Sequence, residues 1–224
     1  MPREQYVEQL DDLREDVLAL GDLVLERLRQ ALDALKHHDE RLASEVVAGD
    51  GEINRIYLAL EQECIDLFAL QQPVAGDLRF VAASFKILTD LERIGDLATN
   101  LAGYAVDADR ERVPGVDVEE LGRSTVEMVE DALDAYADAD IDACYAVAAR
   151  DDEVDAACER ASEAVVRHLI DVDLDADEAA TASLLGDASR LLLTVRDLER
   201  VGDHAVNVCA RTVYMAENDD ALIF

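Results

Sequence analysis

The sequence has no tryptophan, and aromatic residues make up only 4% of it. Sheet cores are normally filled by aromatic and β-branched side chains, so this scarcity disfavours a β-rich fold. Proline occurs three times and glycine ten times in 224 residues. With so little punctuation, long uninterrupted elements are expected. Positive charge is also scarce. Twenty Lys and Arg residues stand against 52 Asp and Glu, a formal net charge of −32, and Lys36 and Lys86 are the only lysines. No basic stripe exists to displace counterions from a polynucleotide, so nucleic acid is excluded as a partner. In dilute buffer such a surface repels itself. Molar salt shortens the Debye length to about 3 Å and screens that repulsion. The acid-rich, lysine-poor composition therefore points to a halophilic cytoplasm. It describes the solvent, not the activity.

Cys64, Cys144, Cys158 and Cys209 show no CxxC spacing, and each falls at or near an apolar helical position. They read as small buried hydrophobes in a reducing compartment. No apolar run approaches the roughly 18 residues a membrane span needs. Met1-Pro2-Arg3-Glu4 leads straight into an amphipathic segment, not a secretory signal. A cytoplasmic protein without a membrane span is expected.

What is present is helical periodicity. Half of the residues are apolar, mainly Ala, Leu and Val. Tyr6, Leu10, Leu13, Val17, Leu20, Val24, Leu28, Ala31 and Leu35 recur at gaps of three and four, which predicts one long helix with a single buried stripe. It ends near His37-His38, and Asp39 can cap a second helix that runs to about Leu70. Gln71-Gln72-Pro73 breaks the chain. A third helix is expected from about Ala75 to Val106, and the polar stretch Asp107 to Asp117 reads as a linker.

The pattern then begins again. Ala31-Leu32-Asp33-Ala34 recurs as Ala132-Leu133-Asp134-Ala135, and Asp39, Asp50 and Glu52 recur as Asp140, Asp151 and Glu153, all at one offset. On the third helix, Asp90-Leu91-Glu92-Arg93-Ile94-Gly95-Asp96 recurs as Asp197-Leu198-Glu199-Arg200-Val201-Gly202-Asp203 at an offset six residues larger. The extra residues fall near Asp171 to Ala180. A shared offset over separate segments identifies an internal repeat. The expected fold is all-α: a tandem repeat of two antiparallel three-helix bundles with pseudo-twofold symmetry. The repeats span 1–107 and 118–217, with 108–117 between them.

Each repeat carries a row of acids. Glu92 and Asp96 are four apart and share a helical face, as do Glu199 and Asp203; Asn100 and Asn207 extend the rows. The rows lie beside the apolar seam, at the rim of the bundle. Asp50 with Asn54, and Asp151 with Asp155, repeat the four-residue spacing on the second helices. If second and third helices are neighbours, these oxygens converge as hard ligands for a divalent or trivalent cation. A solvated acidic face is the plain alternative in so acidic a chain. Gly95 and Gly202 fall on the seam, where a missing side chain admits a close neighbour. His204 stands beside Asp203 with no counterpart in the first repeat, where Leu97 occupies the position. It reads as a partly exposed surface residue, or as an asymmetric ligand. A di-iron carboxylate enzyme would need Glu-x-x-His on two helices, and this pattern is missing. No HExxH, Gly-rich phosphate loop or nucleophile–base pair calls for catalysis.

The two DLER-hydrophobic-GD segments, each continuing to Asn100 or Asn207, resemble those of the PhoU family of phosphate-signalling proteins. Gln71-Gln72-Pro73 followed by Asp77-Leu78-Arg79, in the first half only, adds to the resemblance, which runs from about Tyr6 to Glu217. It implies two three-helix bundles, and iron or zinc clusters held on the bundle surface by Glu92 and Asp96 and by Glu199 and Asp203. Asp50, Asp151 and Asp155 would contribute from the second helices, and Asn54 departs from a full acidic pair. It also implies a non-enzymatic negative regulator of phosphate uptake, partnered by the ATPase subunit of a phosphate ABC transporter or by a sensor protein. A homodimer is expected.

Overall fold

The computed structural model describes residues 3–71, 75–105, 113–171 and 178–222. Six helices follow one another: α1 (Arg3–His37), α2 (Glu40–Gln71), α3 (Ala75–Ala105), α4 (Val118–Asp138), α5 (Ile141–Asp171) and α6 (Glu178–Glu217). No strand occurs among the described residues. The break at Gln72-Pro73, the first part of the linker and most of the six-residue gain lie outside them.

The stripes expected from periodicity form the core. Leu13, Val17, Leu20, Val24, Leu28 and Ala31 of α1 are all but fully buried, as are Leu88, Leu91, Ala98 and Leu101 of α3. The turns at the ends of α1 and α4 are built identically. His38 and Ala139 both take the left-handed conformation with φ 52°. Each is followed by an aspartate that starts the next helix: Asp39 accepts from the Leu42 N–H at 3.0 Å and Asp140 from the Ala143 N–H at 3.0 Å. These side chains satisfy donors that have no partner within the helix.

Helices α1–α3 pack on one another as one bundle and α4–α6 as a second, and the bundles join where α3 lies on α6 and α1 lies on α4. The hydrophobic core runs continuously through both. Along α1 and α4 the join is antiparallel. Lys36 meets Glu119 at one end, and Arg14 donates to the Ala137 carbonyl at 3.1 Å at the other. Between them, Leu133 covers Gly21 with both methyl carbons 2.7 Å from where a Cβ would stand, and Leu32 covers Gly122 with its methyl carbons at 2.7 and 3.1 Å. The two contacts are related by the repeat. At the Arg14 end, Tyr136 and Ser84 share a fully buried hydrogen bond of 2.8 Å, and the Arg14 guanidinium sits 5.0 Å over the Phe80 ring.

Candidate metal centre

In the second repeat α5 and α6 run antiparallel, and the absent side chain at Gly202 decides what fits between them. A Cβ there would stand 2.8 Å from Asp151 Oδ1. Glycine thus lets this carboxylate lie against the α6 backbone. The same Oδ1 is buried and has no hydrogen-bond partner. Asp155 and Asp203 join it: one carboxylate oxygen from each of Asp151, Asp155 and Asp203 lies within 4.8 Å of the others. Burial pushes the Asp151 carboxyl up to about 7, helped by the negative charges of Asp155, Asp203, Asp152 and Glu199. Asp155 and Glu199 are raised for the same reasons, burial first and then the neighbouring acids. A buried carboxylate oxygen without a donor, among like charges, is costly as an anion. A cation with oxygen preference offsets both terms at once. The residues present therefore fit a bound cation.

The first repeat solves the same problem differently. Gly95 again admits a neighbour, but the atoms nearest its missing Cβ are those of Ile53, at 3.0 and 3.2 Å. Asp50 is supplied with donors: Thr99 Oγ1 at 3.2 Å on one oxygen and Asn54 Nδ2 at 3.2 Å on the other. Asp155 and Val206 stand at the corresponding positions of the second repeat, and neither can donate. Arg93 lies 3.7 Å from both Glu92 and Asp96. Burial raises the Glu92 and Asp96 carboxyls, with Asp96 and Asp50 respectively the next cause, while Arg93 opposes the shift in both. Glu92, Asp96 and Asp50 are thus neighbours with side-chain countercharge.

Two further residues of the repeated segment work across the join. Asp90 accepts from the second repeat, with His204 Nδ1 at 2.9 Å and Asn207 Nδ2 at 3.1 Å. Its counterpart Asp197 is fully buried and accepts from Tyr104 of the first repeat at 2.8 Å, with Arg196 at 3.0 Å and Arg200 at 3.7 Å. Tyr104 is pushed up to about 12, chiefly by burial and then by the bond to Asp197, so its hydroxyl keeps its proton and donates. Asn207 therefore leaves the acid row, and His204 bridges the bundles. Sequence spacing gave no sign of Tyr104. Thr99 was open to discovery, because Val206 replaces it at the same offset.

A family model described as the PhoU domain matches residues 17–105 and 118–212. The chain is 33% identical over 218 residues to the phosphate-specific transport system accessory protein PhoU of Serratia marcescens, covering 96% of this chain and 86% of that one. It is 34% identical over 220 residues to the homologous accessory protein of Pseudomonas aeruginosa, covering 97% and 87%. Against homolog 1 of Methanothermobacter thermautotrophicus, identity is 32% over 217 residues, covering 96% and 95%. The crystal structure of PhoU from Pseudomonas aeruginosa superposes with a TM-score of 0.87 at 31% identity, covering 96% of this chain and all of that one. That of the phosphate transport system regulatory protein PhoU from Streptococcus pneumoniae gives 0.86 at 26%, covering 96% and 98%.

Proposed function

The chain belongs to the PhoU family, and on that premise we propose that it is an accessory protein of a phosphate-specific transport system that represses uptake when phosphate is plentiful. The observation that carries this reading is likeness over both repeats: the relatives named as phosphate transport accessory proteins align with 96–97% of the chain. No helix among the described residues is long and apolar enough to cross a membrane. The protein then acts from the cytoplasm, as a homodimer, on the ATPase subunit of the transporter or on a sensor protein.

The role is mechanical, without catalysis. A rigid pair of bundles docks on its partner and favours one of the partner's states by binding it more tightly. A divalent or trivalent ion, iron or zinc, is the proposed cofactor. Asp151, Asp155, Asp203 and Glu199 would hold it in the second repeat, and Glu92, Asp96 and Asp50 in the first. It supplies the positive charge that lets these acids sit together. The chain's own part is to aim the carboxylates: Gly202 makes room for Asp151, and the α5–α6 packing brings Asp155 to Asp203. The buried, donorless Oδ1 of Asp151 supports the second site. Asn54 and Thr99 make the first the weaker one.

Deletion of the gene tests the regulatory role. Phosphate uptake is expected to stay high in phosphate-rich medium and to return to its repressed level on complementation. Normal repression in the deletion strain would overturn the proposal.

A further inference from the structure

The α5–α6 pair keeps one register over several turns. Cys158 Sγ lies 3.7 Å from the Val195 carbonyl oxygen. Seven residues back along α5 and seven forward along α6, Asp151 stands over Gly202. One more heptad brings Cys144 opposite Cys209. The two thiols are near enough for each to shift the other's ionisation, and both side chains are completely buried. The corresponding residues of the first repeat are Ala43 and Ala102, which are equally buried. Alanine therefore suffices to fill this layer in a helix pair of the same design. The second repeat has two facing sulfurs there instead.

We propose that Cys144 and Cys209 are an oxidisable pair that closes a disulfide between α5 and α6. The oxidant is a small neutral disulfide. The Cys144 thiolate attacks one of its sulfurs and expels one small thiolate, leaving a mixed disulfide on Cys144. The Cys209 thiolate then attacks the Cys144 sulfur and expels the second small thiolate. Two protein thiols are oxidised by two electrons, one small disulfide is reduced to two small thiols, and the two protons follow the departing sulfurs. Cys144 attacks first. It lies in the first turn of α5, where its N–H bonds the Asp140 carbonyl at 3.2 Å, and a helix N-terminus favours a thiolate. The neighbouring Cys209 thiol lowers the Cys144 thiol against the opposing effects of burial and Asp140, while Cys209 itself is raised. Access is through a cleft beside this turn, lined by Asp131, Ala135 and Asp138 of α4, by the capping Asp140, and by Ala143 and Val147 of α5. Its acids are the reason a neutral oxidant is favoured over an anionic one. Fraying of the turn exposes the sulfur. The closed bridge fixes the helix register that seats Asp151 over Gly202, two turns or about 10 Å away.

The test uses the native full-length protein and 2-hydroxyethyl disulfide, with free thiols then labelled under denaturing, acid-quenched conditions. The reduced protein is expected to label at all four cysteines and the oxidised protein at two, with the Cys144 and Cys209 peptides joined and the thermal midpoint raised until reductant is added. Cys144→Ala, which restores the alanine of the first repeat, is expected to label at three cysteines before and after treatment. Cys209→Ala, which lacks the resolving thiol, is expected to label at three before and two after, with the small thiol held on Cys144. Four labelled thiols after oxidation up to just below the unfolding transition would overturn the proposal. So would a bridge through Cys64 or Cys158, or adducts of the oxidant alone.

Discussion

Leu133 of α4 lies directly over Gly21 of α1, its two methyl carbons 2.7 Å from the position a Cβ would take, and Leu32 repeats the contact over Gly122. The repeats are thus locked by a reciprocal pair of leucines, each filling the space left by the other helix's glycine. Gly21→Leu adds a side chain where none fits and is expected to destabilise by about 1–3 kcal/mol. Leu133→Ala is expected to cost about 2–5 kcal/mol. Because both act on one contact, the double variant should cost less than the two together, read from urea midpoints. Strict additivity would show that the contact is not shared.

Tyr104→Phe removes a donor from the fully buried Asp197 while leaving the ring in place. A hydrogen bond to a charged group contributes about 1.5–3 kcal/mol. A loss in that range is expected from chemical denaturation, with the fold retained by circular dichroism. A neutral result would mean that Arg196 and Arg200 alone satisfy Asp197.

Ala139 holds a left-handed conformation, φ 52° and ψ 41°, at the end of α4. That conformation costs an L-residue about 1–2 kcal/mol, a penalty glycine does not carry. Ala139→Gly is therefore expected to stabilise the protein by roughly 1 kcal/mol, visible as a higher thermal midpoint.

Asp151 sets a pH dependence in metal-free protein. Its carboxyl is raised from 3.8 to about 7 in the fold, chiefly by burial. Between those values the folded state holds a proton that the unfolded chain has lost, so stability falls as pH rises through this window and levels off above it. Asp151→Asn cannot ionise. Its thermal midpoint should pull ahead of the parent's as pH climbs from about 4 to about 7, following the linkage slope. Added metal should reverse the order, because only the parent gains a ligand. Parallel curves for the two proteins would refute the assignment.

The helices, their caps and the repeat were legible because each has a local signature. Apolar residues every three or four positions mark α1 and α3, Asp39 and Asp140 mark helix starts, and a constant offset marks the duplication. The fold-level match of two three-helix units follows from these alone. The packing of one repeat on the other was not legible. Ile94 and Leu97 are buried on α3 besides its predicted stripe, and α3 lies on α6, yet nothing in the spacing of α3 says which helix packs there. Hence Asp90 and His204, far apart in sequence, were read separately although they bond at 2.9 Å. The acid rows were visible as patterns. Which row gathers depends on whether Ile53 or Asp151 turns into the gap at the glycine, and that is decided by side-chain packing.

Metal titration of the two acid rows bears most directly on the candidate centre. Purified protein stripped of metal would be titrated with zinc, alongside the variants Asp155→Asn/Asp203→Asn and Glu92→Gln/Asp96→Asn. The tightest site is expected to vanish in the first variant, where Asp151 loses both neighbouring carboxylates, and to persist in the second. Loss of that site in the Glu92/Asp96 variant with retention in the Asp155/Asp203 variant, or no binding by the parent, would contradict a cation site between α5 and α6.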